Sequence, residues 1–453
     1  MNSLKRKIDH YLKTHFESNK TALLIEGARQ IGKTHSIREY GKNYESFIEI
    51  NFIEQPEAVS LFRNLKNSKD LLARLSLFTT KSLKKNSTLI FFDEVQVCPE
   101  ILTYIKFLVE EGSYRYVLSG SLLGIELNNL RSAPVGYLTI KRMYPLSIEE
   151  FFSNLGIGQN IIESLKKSYI NLSPIDEFVH QKMMELFRLY LVVGGMPAVV
   201  KKYIETNNLQ EVLSTQKQIL NLYRKDISKY DDKNRLSIIE IFNLIAPELN
   251  NPNKRFIIKD LGKNIKFDRY ENSFLWLKDA GVSIPVYNID DLKIPLILSK
   301  SRSLFKLFMN DIGLLAAEYS QGIQLRIISG DNSINCGSIF ENAVAQELLS
   351  KDYELFYYNN KKRGELDFVI DYEGKVLPIE VKSGKDYKIH RALSNILADS
   401  EYKIDRAIVF TNSNIQVEGN KLYLPIYMVM FLEKPDNIPS FYKIDVSALN
   451  QKK

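Results

Sequence analysis

Short apolar runs alternate with segments of helical periodicity over the first 150 residues. The runs that predict strands lie at 22–25, 47–51, 89–92, 116–119 and 137–141. Strands that alternate with helices form a parallel, doubly wound sheet, whose ligand lies at the carboxyl ends of the strands. Ser147 and Glu150 then have the spacing of a capping box, which opens a helix and changes the pattern. We therefore predict an α/β domain over residues 1–150.

Helical periodicity dominates from residue 151 to residue 235. Within it, Gly194-Gly195-Met196-Pro197 predicts a helix stop followed by a turn, and residues 210–230 predict a long amphipathic helix. We predict a helical, lid-like region over this part of the chain.

Residues 236–310 have the order of elements of a winged helix. Helical patterns at 237–246, from 257 and at 270–280 precede an alternating strand pattern at 282–288. The helix at 270–280 is acidic and aromatic and has few donors for phosphate, which favours contact with protein over contact with DNA.

Composition narrows the class of protein only a little. A chain of 453 residues is too long for a single hydrophobic core, so its length predicts two to three domains. The net charge of +7, from 61 basic and 54 acidic residues, permits nucleic-acid contact without indicating it. The basic N-terminal segment lacks the apolar stretch of a signal peptide, and no run is long enough to predict a membrane span. Two cysteines, Cys98 and Cys336, suit a reducing cytoplasm and give no zinc cluster.

One stretch predicts a phosphate-binding loop. It follows the first strand and matches G-x-x-x-x-G-K-[ST] with the residues Gly27, Ala28, Arg29, Gln30, Ile31, Gly32, Lys33 and Thr34. The glycines let backbone N–H groups surround a phosphate chain, Lys33 reaches the β- and γ-phosphates, and Thr34 is placed to ligate Mg²⁺. The alternative is a glycine-containing turn that matches by chance. We expect a nucleoside triphosphate to bind here.

Two further strand ends carry polar residues that suit hydrolysis. Asp93 and Glu94 follow the apolar strand at 89–92. Asp93 fits a Mg²⁺ role, and Glu94 stands where a base could orient the attacking water. Ser119, at the end of the next strand, could sense the γ-phosphate. The alternatives are a helix N-cap for the acidic pair and a simple strand-to-loop turn for Ser119.

A second constellation lies in the C-terminal third. Glu341 lies near the start of an amphipathic helix, Asp367 heads a strand, and Glu380 and Lys382 share one face of the next strand. A metal-dependent phosphodiesterase needs such a set, with Glu341, Asp367 and Glu380 holding Mg²⁺ and Lys382 positioning water or stabilising the phosphate. The alternative is an internal ladder of salt bridges across two strands. We predict an α/β, restriction-endonuclease-like domain over residues 311–453.

The chain resembles the prokaryotic AAA+-type ATPases that carry a C-terminal PD-(D/E)xK nuclease-like domain of unknown function. Beyond the phosphate-binding loop, the resemblance rests on Phe92-Asp93-Glu94-Val95-Gln96, Leu118-Ser119-Gly120-Ser121, Pro134-Val135-Gly136, Tyr144-Pro145-Leu146-Ser147-Ile148-Glu149-Glu150-Phe151, Gly194-Gly195-Met196-Pro197, Asp311-Ile312-Gly313-Leu314-Leu315, Phe340-Glu341-Asn342, Glu365-Leu366-Asp367-Phe368 and Ile379-Glu380-Val381-Lys382-Ser383-Gly384.

This resemblance implies ATP at Lys33, Thr34, Asp93 and Glu94, and it supports the C-terminal acid and lysine set. Some relatives have a Gly-Arg pair before the Pro-Leu-Ser segment, where this chain has Gly136-Tyr137. Arg131 and Arg142 are the substitutes for such an arginine finger.

Two hypotheses follow for the whole chain. The first is a cytoplasmic Mg²⁺-dependent ATPase coupled to a nuclease-like module that acts on DNA. The second is an ATP-dependent switch whose C-terminal domain binds protein or DNA without cutting. The sequence leaves a protein partner or a homo-oligomer open under both.

Overall fold

The computed structural model describes residues 3–65, 67–79, 82–120, 136–230, 235–261, 267–320, 322–331, 333–435 and 444. Among these residues, no helix combines the length and the apolar character that a membrane crossing requires. The described chain forms two sheets that are joined by a helical region.

The N-terminal sheet is parallel throughout. Within the described ranges it contains five strands, which are β1 (Ala22–Glu26), β2 (Ser46–Asn51), β3 (Thr88–Asp93), β4 (Arg115–Gly120) and β5 (Leu138–Arg142). Their order is β2-β3-β4-β1-β5, and each neighbouring pair is parallel. The predicted strands and the predicted α/β sheet are therefore confirmed.

Helices cover both faces of this sheet. They are α1 (Lys7–Ser18), α2 (Lys33–Gly41), α3 (Ser68–Phe78) and α4 (Glu100–Glu111), with 3₁₀ turns at Pro56–Phe62 and Val95–Val97. Alternate side chains of β1 enter different cores, with Leu23 and Ile25 on one face and Ala22 and Leu24 on the other. A strand buried on both faces reads as a continuous apolar run, as β1 and β3 do.

The middle region is helical, as predicted. It consists of α5 (Ile148–Asn154), α6 (Gln159–Asn171), α7 (Glu177–Val193), α8 (Pro197–Thr206) and α9 (Leu209–Tyr230). The capping box is present, since Ser147 Oγ accepts from the N–H of Glu150 and the Glu150 carboxylate accepts from the N–H of Ser147. The two glycines after Val193 separate α7 from α8, which starts at Pro197.

The segment after residue 235 contains two helices and a hairpin. These are α10 (Arg235–Leu249), α11 (Glu271–Asp279), β6 (Ser283–Ile289) and β7 (Lys300–Met309), with 3₁₀ turns at Ile258–Leu261, Phe267–Arg269 and Leu296–Ser299. The helix predicted from residue 257 is only the first of these turns as far as the chain is described, up to Leu261.

The C-terminal part adds four helices and six strands to the described chain. They are α12 (Ile312–Glu318), α13 (Ile323–Ile328), α14 (Gly337–Ser350), β8 (Phe356–Asn360), β9 (Gly364–Tyr372), β10 (Lys375–Val381), α15 (Arg391–Leu397), β11 (Ala407–Thr411), β12 (Gln416–Glu418) and β13 (Lys421–Pro425), followed by a 3₁₀ turn at Ile426–Phe431. The sheet is mixed, in the order β12-β13-β11-β10-β9-β8-β6-β7.

This sheet continues across the domain boundary that we predicted at residue 310. Strand β6 pairs in parallel with β8 and antiparallel with β7, so the predicted wing forms one edge of the C-terminal sheet. Alternating side chains identify β6 as a strand but do not say which strand it pairs with, so the sequence pattern could not show this.

One apolar core connects the N-terminal sheet with the C-terminal sheet. It extends from Leu23 and Ile25 of β1 through Phe187 and Leu191 of α7 to Phe410 of β11. The helical region is therefore a shared layer, through which packing in one sheet is felt in the other.

Candidate functional site

The loop between β1 and α2 has the backbone of an anion nest. Gly27, Gln30 and Gly32 have positive φ values of 150°, 66° and 91°, and left-handed residues within a turn are typical of such nests. Gly27 is also pressed against the end of β5, because a Cβ there would lie 2.3 Å from the carbonyl oxygen of Met143. No larger residue fits at Gly27 without moving the backbone.

Lys33 is held inside this loop. Its side chain is buried, and Nζ donates to the carbonyl oxygens of Gly27 at 2.9 Å and Ala28 at 2.8 Å. Burial lowers the pKa of Lys33 to about 8, although the carboxylates of Glu94 and Asp93 act in the opposite direction. Among the described residues, the hydrogen bonds of the ammonium group go to these two neutral carbonyls, which a phosphate oxygen can replace.

Asp93 lies at the centre of a set of neutral donors. Its Oδ2 accepts from Thr34 Oγ1 at 3.0 Å and from Asn51 Nδ2 at 3.1 Å, and its Oδ1 accepts from the hydroxyl of Ser119. Burial raises the pKa of Asp93, with a further rise from Glu94, while the Ser119 and Thr34 hydroxyls lower it. The sequence analysis assigned no role to Asn51, although a polar residue at the end of strand β2 could have indicated that it belongs to this site.

Glu94 follows Asp93 in a strained backbone conformation. Its φ of 59° is left-handed, which is unusual for a residue other than glycine and is often found at functional sites. The side chain is half-buried, and its carboxylate accepts a hydrogen bond from Gln96 Nε2. Strand β3 ends at Asp93, just before this residue, and Gln96 fixes the Glu94 carboxylate.

Two arginines tie the loop to other parts of the fold. Arg29 forms an ion pair with Asp226 of α9, with Nη1 and Oδ2 3.0 Å apart, and its carbonyl accepts from the hydroxyl of Tyr223. The side chain of Arg6 is buried and donates to the carbonyl oxygens of Ile31 at 3.0 Å and Tyr144 at 2.7 Å. Sequence reasoning missed Arg6, which lies in a segment without a motif.

A cavity of about 330 Å³ opens beside the first two loop residues. Its lining includes Gly27, Ala28 and Arg142, together with Lys278 and Lys300 from the C-terminal side. Arg142 forms an ion pair with Glu26, with Nε and Oε1 3.4 Å apart. Of the two substitutes for an arginine finger, Arg142 thus lies next to the loop, whereas Arg131 lies outside the described residues.

The C-terminal acids come from three different elements. Glu341 lies on α14, Asp367 on β9 and Glu380 on β10, and Lys382 follows β10 directly. Lys382 Nζ is 3.1 Å from Glu380 Oε2, and Asp367 Oδ2 accepts from the N–H of Val381 at 2.9 Å. Within the ranges that the structure describes, no group of three or more His, Cys, Asp or Glu side chains is arranged to hold a metal ion.

Lys306 of β7 lies among these acids. Its fully buried Nζ is 2.9 Å from Glu365 Oε1, 3.6 Å from Glu341 Oε2 and 4.0 Å from Asp367 Oδ1. Sequence reasoning missed Lys306. The available signal was a single charge inside the apolar run Leu304-Phe305-Lys306-Leu307-Phe308.

The pKa shifts of the acids follow from burial and from these neighbours. Burial and then the Asp367 carboxylate raise the pKa of Glu341, and the same two causes raise that of Glu380 well above its usual range. Burial would also raise the pKa of Asp367, but the charges of Lys306, Lys254 and Lys382 outweigh it and lower the value.

Comparison with known families supports the description of the N-terminal part. Residues 19–152 match the family model described as an AAA domain. Residues 184–323 and 336–429 match two models that are described only as domains of unknown function, DUF8612 and DUF4143. The part of the chain that is similar to an AAA domain thus has the α/β fold of the P-loop NTPases, and a helical region and a mixed sheet follow it.

Several solved structures are distantly similar. The Walker-type ATPase PABY2304 of Pyrococcus abyssi is 14% identical, with 70% of this chain and 95% of that chain covered and a TM-score of 0.43. The Orc1 protein of Aeropyrum pernix in complex with DNA is 11% identical, with 72% and 91% covered and a TM-score of 0.29. Cdc6p of Pyrobaculum aerophilum is 14% identical, with 71% and 92% covered and a TM-score of 0.24. No curated protein matches the chain.

Proposed function

We propose that this chain binds ATP with Mg²⁺ at residues 27–34 and hydrolyses it. The observation that carries the proposal is the set of partners of Asp93. Thr34, Asn51 and Ser119 are neutral donors, so they orient the carboxylate without cancelling its charge. A buried acid whose side-chain donors are all neutral, next to an anion nest, suits a divalent cation bound with a phosphate chain.

Each residue then has a definite task. Lys33 exchanges the carbonyls of Gly27 and Ala28 for β- and γ-phosphate oxygens, and the loop N–H groups hold the phosphate chain. Thr34 and Asp93 hold Mg²⁺, which when bound supplies positive charge against the phosphates. Glu94 orients the attacking water, and Ser119 lies at the strand end beside the γ-phosphate.

A closed ring of hydrogen bonds supports coupling between this site and the C-terminal part. Gly195 carries the ring across the helical region, because its carbonyl accepts from Leu146 at 2.7 Å and its N–H donates to Asp311 Oδ2 at 2.6 Å. The ring then closes through Ile312, Gln346 and Tyr190 back to the carbonyl of Leu146.

This ring of hydrogen bonds is close to the phosphate-binding loop. A Cβ at Gly32 would lie 3.6 Å from the ring of Pro197, two residues after Gly195. We infer that a shift of the loop on nucleotide binding is passed to Asp311 and α12 through these contacts.

The C-terminal part has two candidate functions. In the first it is a nuclease-like module that acts on DNA, in which Glu341, Asp367 and Glu380 hold Mg²⁺ and Lys382 acts on water or phosphate. In the second it binds DNA or a protein partner without cutting, so that the chain is an ATP-dependent switch. The ion pairs of Lys306 with the same acids favour the second function. The PD-(D/E)xK and winged-helix descriptions, the four predicted domains and the cytoplasmic location remain part of this proposal.

Steady-state ATPase assays test the proposal most simply. Purified wild-type protein should hydrolyse ATP in the presence of Mg²⁺. A rate per chain that increases when DNA is added would identify DNA as a partner. A rate per chain that increases with protein concentration would reveal a homo-oligomer. An absence of ATP binding by the wild-type protein would refute the proposal. Metal-dependent nicking of plasmid that disappears in Lys382→Ala would select the nuclease version over the switch.

A further inference from the structure

The C-terminal acidic cluster contains its own cations. We define the cluster as the carboxylates of Glu341, Glu365, Asp367 and Glu380. Each carboxylate has a positively charged group within 4.0 Å, and the groups concerned are Lys254, Arg255, Lys306 and Lys382. Four negative charges thus meet four positive charges, and the formal sum is zero.

Lys306 occupies the point that three of the carboxylates share. Its Nζ contacts Glu365, Glu341 and Asp367 and lies 5.1 Å from the centre of the Tyr357 ring. The side chain has no exposed surface. It comes from the middle of β7, a strand that pairs with β6 in the same sheet.

These contacts do not fit a divalent cation. A Mg²⁺ or Ca²⁺ ion needs several oxygens at about 2.0–2.6 Å from one point, and that point is next to a buried ammonium group. Moving Lys306 out would leave a buried charge without its partners, which is among the most unfavourable changes inside a protein.

We propose that Lys306 is an internal cation that takes the place of a metal ion beside Glu341 and Asp367, two of the three predicted ligands, so that the C-terminal module works without a divalent cation and binds its partner without cleaving it. The acidic cluster then fixes β7, β9, β10 and α14 relative to one another. This inference concerns the C-terminal module alone and does not depend on ATP hydrolysis, so either proposal can fail without the other.

Calorimetric titration of the nucleotide-free protein with MnCl₂ tests the proposal. We expect no stoichiometric Mn²⁺ binding by the wild-type chain. In Lys306→Met the carboxylates lose their central cation, and we expect one Mn²⁺ per chain to bind at least about tenfold more tightly than to wild type. Lys375→Met is the matched control, because Lys375 is an exposed lysine of the same sheet that pairs with Asp405 at 2.6 Å. It should behave as wild type.

Two results would overturn the proposal. One is stoichiometric Mn²⁺ binding by the wild-type chain that is lost in Asp367→Asn. The other is a folded Lys306→Met protein that binds Mn²⁺ no better than wild type. If Lys306→Met does not fold, the wild-type and Asp367→Asn titrations still decide the question.

Discussion

The two acid-containing sites of this protein differ in what surrounds their carboxylates. Asp93 accepts hydrogen bonds from a hydroxyl, an amide and a second hydroxyl, all neutral. Asp367 and Glu341 both contact the ammonium group of Lys306. Neutral donors orient a carboxylate and leave its charge for a cation that arrives with a ligand, whereas internal cations remove that charge. Acidic residues at the ends of strands therefore indicate a metal site only when the groups that contact their carboxylates are known to be neutral.

The two lysines show the same contrast. Lys33 bonds to backbone carbonyls of its own loop, and those bonds can be exchanged for phosphate at little net cost. Lys306 forms ion pairs with buried or partly buried carboxylates, and a ligand would have to break these pairs. The first arrangement suits repeated binding and release, and the second suits a permanent structural role.

The largest expected effect comes from Lys33. In Lys33→Ala the charge that meets the β- and γ-phosphates is lost, and we expect no measurable ATP binding or hydrolysis. Binding of a fluorescent ATP analogue and phosphate release measure the two losses. Lys42→Ala, an exposed lysine just after α2 that pairs with Glu39, is the control and should bind normally. If Lys33→Ala kept its affinity for ATP, the proposed contrast between Lys33 and Lys306 would be contradicted.

Glu94 should affect turnover and not binding. We expect Glu94→Gln to bind ATP as wild type does and to hydrolyse it about 100-fold more slowly, because a positioned base contributes about 10²–10⁴-fold to such a step. A Gln96→Ala variant should lose part of the rate, since Gln96 fixes the Glu94 carboxylate. Normal steady-state hydrolysis by Glu94→Gln would assign the base to another residue.

Asp311 tests whether the two sites communicate. The Asp311 carboxylate is fully buried and accepts from the N–H groups of Gly195 and Leu314. We expect Asp311→Ala to lower the free energy of unfolding by about 1–3 kcal/mol, because these donors lose their partner. It should also reduce the effect of an ATP analogue on hydrogen exchange in α12. Asp405→Ala, an exposed acid, is the control; equal losses in both variants would remove Asp311 from the coupling route.

The smallest effect concerns pH. With the pKa of Lys33 lowered to about 8, the loop lysine is charged below that pH and neutral above it. Since phosphate needs the charged form, the Kd for ATP should rise about tenfold between pH 7 and pH 9. Lys33→Arg stays charged over this range and should give a flat profile. A wild-type Kd that does not change with pH would mean that Lys33 stays charged over this range and that burial does not lower its pKa to about 8.

Local pattern predicted most of the fold. The five N-terminal strands, the capping box of Ser147 and Glu150 and the end of α7 all lie where the sequence placed them, because each depends on neighbours within a few residues. The pairing of β6 with β8 could not be predicted, since it joins residues about 70 positions apart and alternation carries no information about the partner strand.

The same limit applies to the candidate sites. The phosphate-binding loop is a contiguous motif, so the sequence alone is enough to predict it. Asn51, Arg6 and Lys306 reach their sites from distant segments, so a search by motif and spacing passed over them. For Lys306 this changes the interpretation of the whole acidic cluster.

A count of bound Mn²⁺ per chain, with and without a non-hydrolysable ATP analogue, tests the contrast between the two sites most directly. Electron paramagnetic resonance of free Mn²⁺ gives this number for the intact wild-type protein. We predict one bound ion in the presence of the analogue and none in its absence, with the bound ion lost in Asp93→Asn. A bound ion without nucleotide that disappears in Asp367→Asn, or no ion at all with the analogue, would contradict the account.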